Sequence, residues 1–188
     1  MIINTISFGK KIPIASCQIM DLNKNKYVKA NIVQYDCADM SDVDEIRNLS
    51  SDWYFKKNVS KNMERDYLLK GTTRISPYSF YAMETQRGET IGYAQTKDMG
   101  RDLVLDILES EPDKKYKYVG TNMISCLSGL ALKNERYKRF YIPNPLKCAR
   151  SFYIEQCGFK ENAKDYTLML DKQGMKKSLR NTPIDFYV

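Results

Sequence analysis

Lys114, Lys115 and Lys117 stand just ahead of Gly120, Thr121 and Asn122, and that spacing suits an anion site. The apolar run at 103–108 before them reads as a buried strand, and residues 121–133 after them read as a helix. A strand, a basic loop with a glycine and a helix start together aim free N–H groups and the positive dipole end at one point. A pyrophosphate fits such a point. The competing reading is a helix start with solvated lysines.

The same chain lacks the groups that other chemistries need. With no histidine, it has no Ser-His or Cys-His catalytic unit. Its cysteines, Cys17, Cys37, Cys126, Cys148 and Cys157, form no Cys-x-x-Cys pair, so no metal site is expected. Reduced thiols packed as small apolar groups are the expectation. Charge is uneven. Residues 1–113 carry 15 basic and 17 acidic side chains; residues 114–188 carry 15 and 6, a net +9. An anionic ligand on the second half would explain this, as would a soluble lysine-rich surface.

Stepping along the chain, the 188 residues suit one domain with a real core. Residues 1–26 read as a short β-rich extension, with β-like stretches at 2–8 and 12–20. A strand is expected at 27–36, and helices at 42–53, behind a Ser41 N-cap, and at 62–70, closed by Gly71. A hairpin at 78–97 turns at Gly88. A buried strand at 103–110, the helix at 121–133, a short strand at 139–143, a helix at 147–156 and a final strand at 166–171 follow. The core domain is bounded as 27–171, and 172–188 reads as a basic, weakly patterned tail. No apolar run is long enough to span a membrane, and no secretory signal is seen, so a cytoplasmic protein without a membrane partner is expected.

Three segments carry a family resemblance. The loop from Pro112 to Ile124 resembles the acyl-CoA loop of the Gcn5-related N-acetyltransferase superfamily, whose pattern is Arg/Gln-x-x-Gly-x-Gly/Ala. Lys115 falls at the Arg/Gln position, Tyr118 at the first glycine and Gly120 at the second. The run Ala149-Arg150-Ser151-Phe152-Tyr153-Ile154-Glu155-Gln156-Cys157-Gly158-Phe159 resembles that family's late helix and Gly-Phe junction. Ile91-Gly92-Tyr93-Ala94 resembles its hairpin strand. The likeness spans roughly residues 29–170. It implies an α+β domain with a mixed, mostly antiparallel sheet flanked by helices, and transfer of acetyl from acetyl-CoA to a primary amine without a metal.

The resemblance also implies site residues. Leu108, Glu109 and Ser110, at the end of a splayed strand, would pair with the pantetheine arm through their main chain. Lys115, Tyr116, Lys117, Tyr118, Val119, Gly120, Thr121 and Asn122 would hold the pyrophosphate, and Asn144 would lie near pantetheine, although the usual asparagine register falls on Lys147. Lysine at 115 keeps the charge but loses the bidentate fork of arginine. Tyrosine at 118 is costly at positive φ, so ordinary dihedrals with the ring turned outward, toward adenine, are expected. Many family members place an acid tyrosine four residues before the Gly of Gly-Phe. That position here is Ile154. Tyr153 lies one residue earlier, about 100° around a helix, and acts as the acid only if the helix is locally shifted. Otherwise it packs, and Tyr166 or Tyr141 would substitute. Glu109 is the candidate base, with Glu111 and Asp106 as alternatives. Trp53, Tyr54, Phe55, Tyr78, Phe80 and Tyr81 would shape the acceptor cleft or pack in the core.

The acceptor stays open among a small molecule, a protein and an aminoacyl-tRNA, and a homodimer stays open as the assembly. Tyr118 and Ile154 favour a competing expectation, a catalytically silent module that binds CoA or only a partner.

Overall fold

The computed structural model describes residues 11–35 and 78–187, together with helical positions Asp42, Asp44, Glu45 and Asn48. Those four fall within the helix expected at 42–53. The remainder of that helix and the one expected at 62–70 lie outside the described residues.

Alternation drives the first strands. In β1 (Ile12–Asp21), Ala15, Cys17 and Ile19 are buried on one face, as period-two side-chain placement requires. Strand β2 (Lys26–Gln34) pairs with β1 antiparallel from Ile12↔Gln34 to Asp21↔Lys26. Residues 12–21, part of the segment read as a short β-rich extension, thus form a strand of the central sheet.

Strands β3 (Tyr78–Thr85), β4 (Thr90–Asp98) and β5 (Asp102–Ser110) continue the antiparallel meander. Gly88 turns the hairpin at φ +78°, a conformation that favours glycine. Beyond it come the short β6 (Tyr116–Lys117), helix α1 (Val119–Lys133), β7 (Arg139–Ile142), β8 (Lys160–Glu161) and β9 (Leu168–Asp171). Helix α2 (Lys172–Asn181) and β10 (Asp185–Phe186) close the chain. The sheet order is β10-β1-β2-β3-β4-β5-β7-β9-β8, with β6 paired to β1. Every described pairing is antiparallel except β5 with β7.

Helix α1 is covered on most sides. Met123, Ile124, Cys126, Leu127 and Ala131 join one cluster with Ile19, Ile32, Met83, Leu105, Phe140 and Leu170. The segment after Asp171, read as a weakly patterned tail, forms a helix and a strand. Asp171 caps α2 by accepting from the Gly174 N–H at 2.7 Å. Met175 and Ser178 are buried from α2, and Ser178 Oγ lies 2.9 Å from Ser125 Oγ on α1. A lysine-rich sequence hides this pattern because only two of its positions are buried.

Candidate active site

Strands β5 and β7 run parallel, yet they pair only over Asp102–Val104 and Arg139–Tyr141. Beyond Val104 they part. Pro143 follows β7 directly and cannot donate to a ladder, which ends the pairing. On its other side β5 stays paired with β4, but with an irregularity: Gln95 and Thr96 are consecutive, whereas their partners are Ile107 and Leu105. Asp106 is the extra, exposed residue of this bulge. A bulge bends its strand and re-aims the groups beyond it.

The parted strands frame a cavity of about 430 Å³. Leu108, Glu109 and Asp106 line it from β5, Asn144 from the turn after β7, and Tyr153 from the following helix. Tyr78 and Lys97 enter from the hairpin. The structure thus brings together Glu109, Tyr153, Leu108 and Asn144. Asp106, named as an alternative base, shares the cavity wall. Ser110 sits at the exposed strand end opposite Gly92.

Tyr153 reaches this cavity because its helix is not a regular α-helix. Lys147–Ala149 is a 3-10 turn and Phe152–Gln156 a π-turn, in which the Cys157 N–H donates to the Phe152 carbonyl at 3.2 Å. A π-turn carries one more residue than an α-turn, and such turns are frequent at functional sites. Five residues rather than four therefore separate Tyr153 from Gly158, and the wider turn absorbs the extra one. Gly158 ends the helix at φ +78°, with the Phe159 N–H donating to the Tyr153 carbonyl at 3.0 Å. Ile154, which holds the expected tyrosine register, is exposed instead. Tyr153 is also packed, edge-on to Phe152 and Phe159 at 5.1 and 5.7 Å between centroids. Burial pushes its phenol well above the usual tyrosine range, and Cys157 and the Glu109 carboxylate push it the same way. The phenol thus stays protonated at neutral pH. Tyr141 and Tyr166, the alternatives, do not line this cavity; Tyr166 is exposed at φ +59°.

The loop ahead of α1 is bolted to β1. Tyr116 pairs with Asp21 and Lys117 with Met20, and the Leu22 N–H donates to the Lys115 carbonyl at 2.9 Å. Glu111, buried and named as an alternative base, accepts from the Lys115 N–H at 2.8 Å. Burial raises its carboxyl above the ordinary range, and the Lys115 hydrogen bond offsets part of this. Its role is to hold the loop. The Lys115 ammonium lies 3.3 Å from Glu89 on the hairpin, and this carboxylate raises its pKa. Lys115 is therefore partly committed away from the helix start, whereas Lys117 stays exposed beside it.

Tyr118 corrects an expectation. It adopts the left-handed region, φ +70° and ψ 9°, rather than ordinary dihedrals. The position keeps the backbone of a glycine although the residue has a Cβ. Its carbonyl accepts three hydrogen bonds, from the Asn122 N–H at 3.0 Å, Asn122 Nδ2 at 2.8 Å and Thr121 Oγ1 at 3.0 Å. The ring does turn outward. No side chain caps the helix start there, so the first-turn N–H groups of Val119, Gly120 and Thr121 point at the loop. Gly120 lets the Phe152 ring come close, since a Cβ there would lie 2.8 Å from it. A Cβ on Gly92 would overlap Val119, so the glycine of the Ile-Gly-Tyr-Ala run seats the helix start on β4.

Burial raises the thiols of Cys17, Cys126 and Cys157 to about 12, which keeps them protonated and non-nucleophilic. Among the described residues, no group of acidic, cysteine or histidine side chains could hold a metal ion, and no helix is long and apolar enough to cross a membrane. Of the cleft aromatics, Phe80 and Tyr81 are buried in the sheet and Tyr78 lines the cavity. Trp53, Tyr54 and Phe55 lie outside the described residues. Sequence reading missed Lys97, Phe152 and Gln156, which carry no local signal because the sheet and the π-turn place them.

No protein-family model matches the chain, and no curated protein matches it either. Solved structures do. A suspected acetyltransferase from Exiguobacterium sp. 255-15 aligns over 79% of this chain and 97% of its own, with a TM-score of 0.58 at 15% identity. Spermidine N-acetyltransferase from Vibrio cholerae, in complex with CoA and spermine, aligns over 78% and 98%, with a TM-score of 0.53 at 11% identity. FdhC, a nucleotide-linked sugar GNAT, aligns over 81% and 92%, with a TM-score of 0.58 at 11% identity. The chain has the fold of the Gcn5-related N-acetyltransferases: one α+β domain with a mixed, mostly antiparallel sheet.

Proposed function

We propose that this protein transfers an acetyl group from acetyl-CoA to a primary amine. The observation that carries the reading is the gap between β5 and β7, which exposes one edge of β5 beside Glu109 and Tyr153. An extended pantetheine arm can add to that edge as a strand would, through backbone hydrogen bonds that also orient the thioester. The uncapped start of α1, with Lys117, offers N–H groups and charge to the pyrophosphate.

In the reaction the amine nitrogen bonds to the thioester carbon, and the carbon–sulfur bond breaks. Glu109 takes the proton that the amine must lose, directly or through water. Tyr153, kept protonated by burial, gives its proton to the departing thiolate. The neighbouring structure with CoA and spermine supports a polyamine as one class of acceptor. The net +9 of residues 114–188 supports an aminoacyl-tRNA as another. A steep salt dependence of tRNA binding would select the second.

The experiment is a titration with acetyl-CoA, followed by release of free thiol in the presence of amines. Binding to the folded state raises stability, by about 1.4 kcal/mol at a tenfold excess over Kd. An unchanged melting temperature at millimolar acetyl-CoA overturns the reading. Binding without thiol release selects the silent CoA-binding module.

A further inference from the structure

Lys97 lines the cavity between β5 and β7, and acetyl transfer by Glu109 and Tyr153 leaves it without a role. Its direct cross-strand neighbour is Tyr78 on β3, and the ammonium lies over the Tyr78 ring, 5.5 Å from the centroid. An ammonium held on a ring face keeps its charge and can still donate hydrogen bonds. Among the described residues no carboxylate pairs with it, Asp106 and Glu109 of the same cavity included. The acids nearest in sequence are committed to arginines: Asp98 pairs with Arg136, and Asp102 takes Arg139 at 2.6 Å.

The sheet fixes where Lys97 stands relative to the reaction. Tyr93 is the cross-strand partner of Glu109, and Lys97, four residues further along β4, is the partner of Val104. Cross-strand partners share a face, and so do residues an even number apart on one strand. Glu109 and Lys97 therefore lie on one face, about 14 Å apart along β4 at about 3.4 Å per residue. The bulge adds its residue, Asp106, to β5, so the spacing on β4 stays regular. The basic loop that would receive the pyrophosphate follows Ser110, at the Glu109 end. An arm laid along β5 from that loop enters past Glu109 and leaves the Lys97 end of the cavity to the acceptor. The amine meets the thioester beside Glu109, so the rest of the acceptor extends toward Lys97.

Resting on the acetyl-transfer reading above, we infer that the acceptor is an amine carrying an anionic group, a phosphate or a carboxylate, several bonds away, and that Lys97 binds this group. The charges of the cavity then suit the acceptor at both ends. Glu109 and Asp106 on β5 attract its ammonium, and Lys97 on β4 attracts its anion. A polyamine would bring a second ammonium to Lys97 and be disfavoured by like charge. A hydrogen bond between charged groups corresponds to about tenfold or more in affinity.

The test measures kcat and KM for thiol release from acetyl-CoA with aminohexanoate, aminohexyl phosphate, hexylamine and spermidine. Wild type should favour an anionic amine over hexylamine by at least about tenfold in kcat/KM, which corresponds to about 1.4 kcal/mol. The better of the two anionic amines identifies the group as carboxylate or phosphate. Lys97→Met keeps the aliphatic stem and removes the charge. It should erase the preference through KM rather than kcat, while acetyl-CoA affinity stays within about twofold of wild type. Lys97→Arg keeps the charge and should retain most of the preference. Equal use of hexylamine and the anionic amines, a preference for spermidine, or an unchanged preference in Lys97→Met overturns the inference while leaving acetyl transfer intact. Binding of acetyl-CoA without thiol release to any of these amines overturns the acetyl-transfer reading, and the inference with it.

Discussion

Asn122 Nδ2 donates to the Tyr118 carbonyl at 2.8 Å and to the Gln18 carbonyl at 3.0 Å. One buried amide thus ties the loop, the start of α1 and strand β1 together. Expected from the family resemblance to help hold the pyrophosphate, Asn122 spends both side-chain donors on backbone carbonyls.

Asn122→Ala should therefore destabilise the fold, because it removes both side-chain hydrogen bonds that tie the loop and α1 to β1. The expected loss is about 1–3 kcal/mol in urea unfolding. Acetyl-CoA affinity should fall as well, since Tyr118 loses part of what holds its carbonyl. A variant as stable as wild type would show that the clamp is redundant with the Thr121 and main-chain bonds.

Tyr153→Phe keeps the ring packed against Phe152 and Phe159 and removes only the hydroxyl. As proton donor, Tyr153 should contribute about 10²–10⁴-fold to turnover, with acetyl-CoA affinity nearly unchanged. Glu109→Gln should lower turnover in the same range. Steady-state kinetics with a reactive amine, set beside a binding isotherm, separates these effects. A twofold loss for Tyr153→Phe would return this residue to packing alone.

The two loop lysines should differ. Lys115 already faces Glu89, so Lys115→Ala should change CoA affinity little. Lys117 borders the cavity beside the helix start, and Lys117→Glu should weaken CoA binding about tenfold, which corresponds to about 1.4 kcal/mol. The effect should shrink as salt is raised. Equal losses from both would mean that Lys115 leaves Glu89 when ligand binds.

Asp171 tests the C-terminal helix. Asp171→Ala removes the N-cap of α2 and should cost about 1 kcal/mol. The Gly174 N–H, and then Lys160, hold this carboxyl below the ordinary value of 3.8. A carboxyl lowered in the fold adds stability above its unfolded pKa and loses it as pH falls through the folded one. The gap between wild type and Asp171→Ala should therefore be full at neutral pH and narrow below about pH 3.8, as followed by denaturation at each pH.

The elements were legible where patterning is strong. Strands β3 to β5, helix α1 and strand β7 follow from alternation, helical spacing and glycine turns, all local signals. The loop ahead of α1 was legible from the spacing of lysines and Gly120. Helix α2 was not, because its buried positions, Met175 and Ser178, are defined only by α1 against them.

The sequence by itself determined the order of strands β3 to β5, helix α1 and strand β7, the basic loop before that helix and the exclusion of histidine chemistry. Tertiary structure alone decided which residues share a cavity. The parting of β5 from β7 depends on pairing between distant segments, and the cavity with Glu109 and Tyr153 follows from it. The π-turn carries Tyr153 inward although its spacing to Gly158 is one residue too long for a regular helix. Tyr118 stays at positive φ through bonds from Thr121 and Asn122, and Asn122 is in turn tied to Gln18 on β1. Local preferences cannot report such bonds, because their energy comes from partners far along the chain.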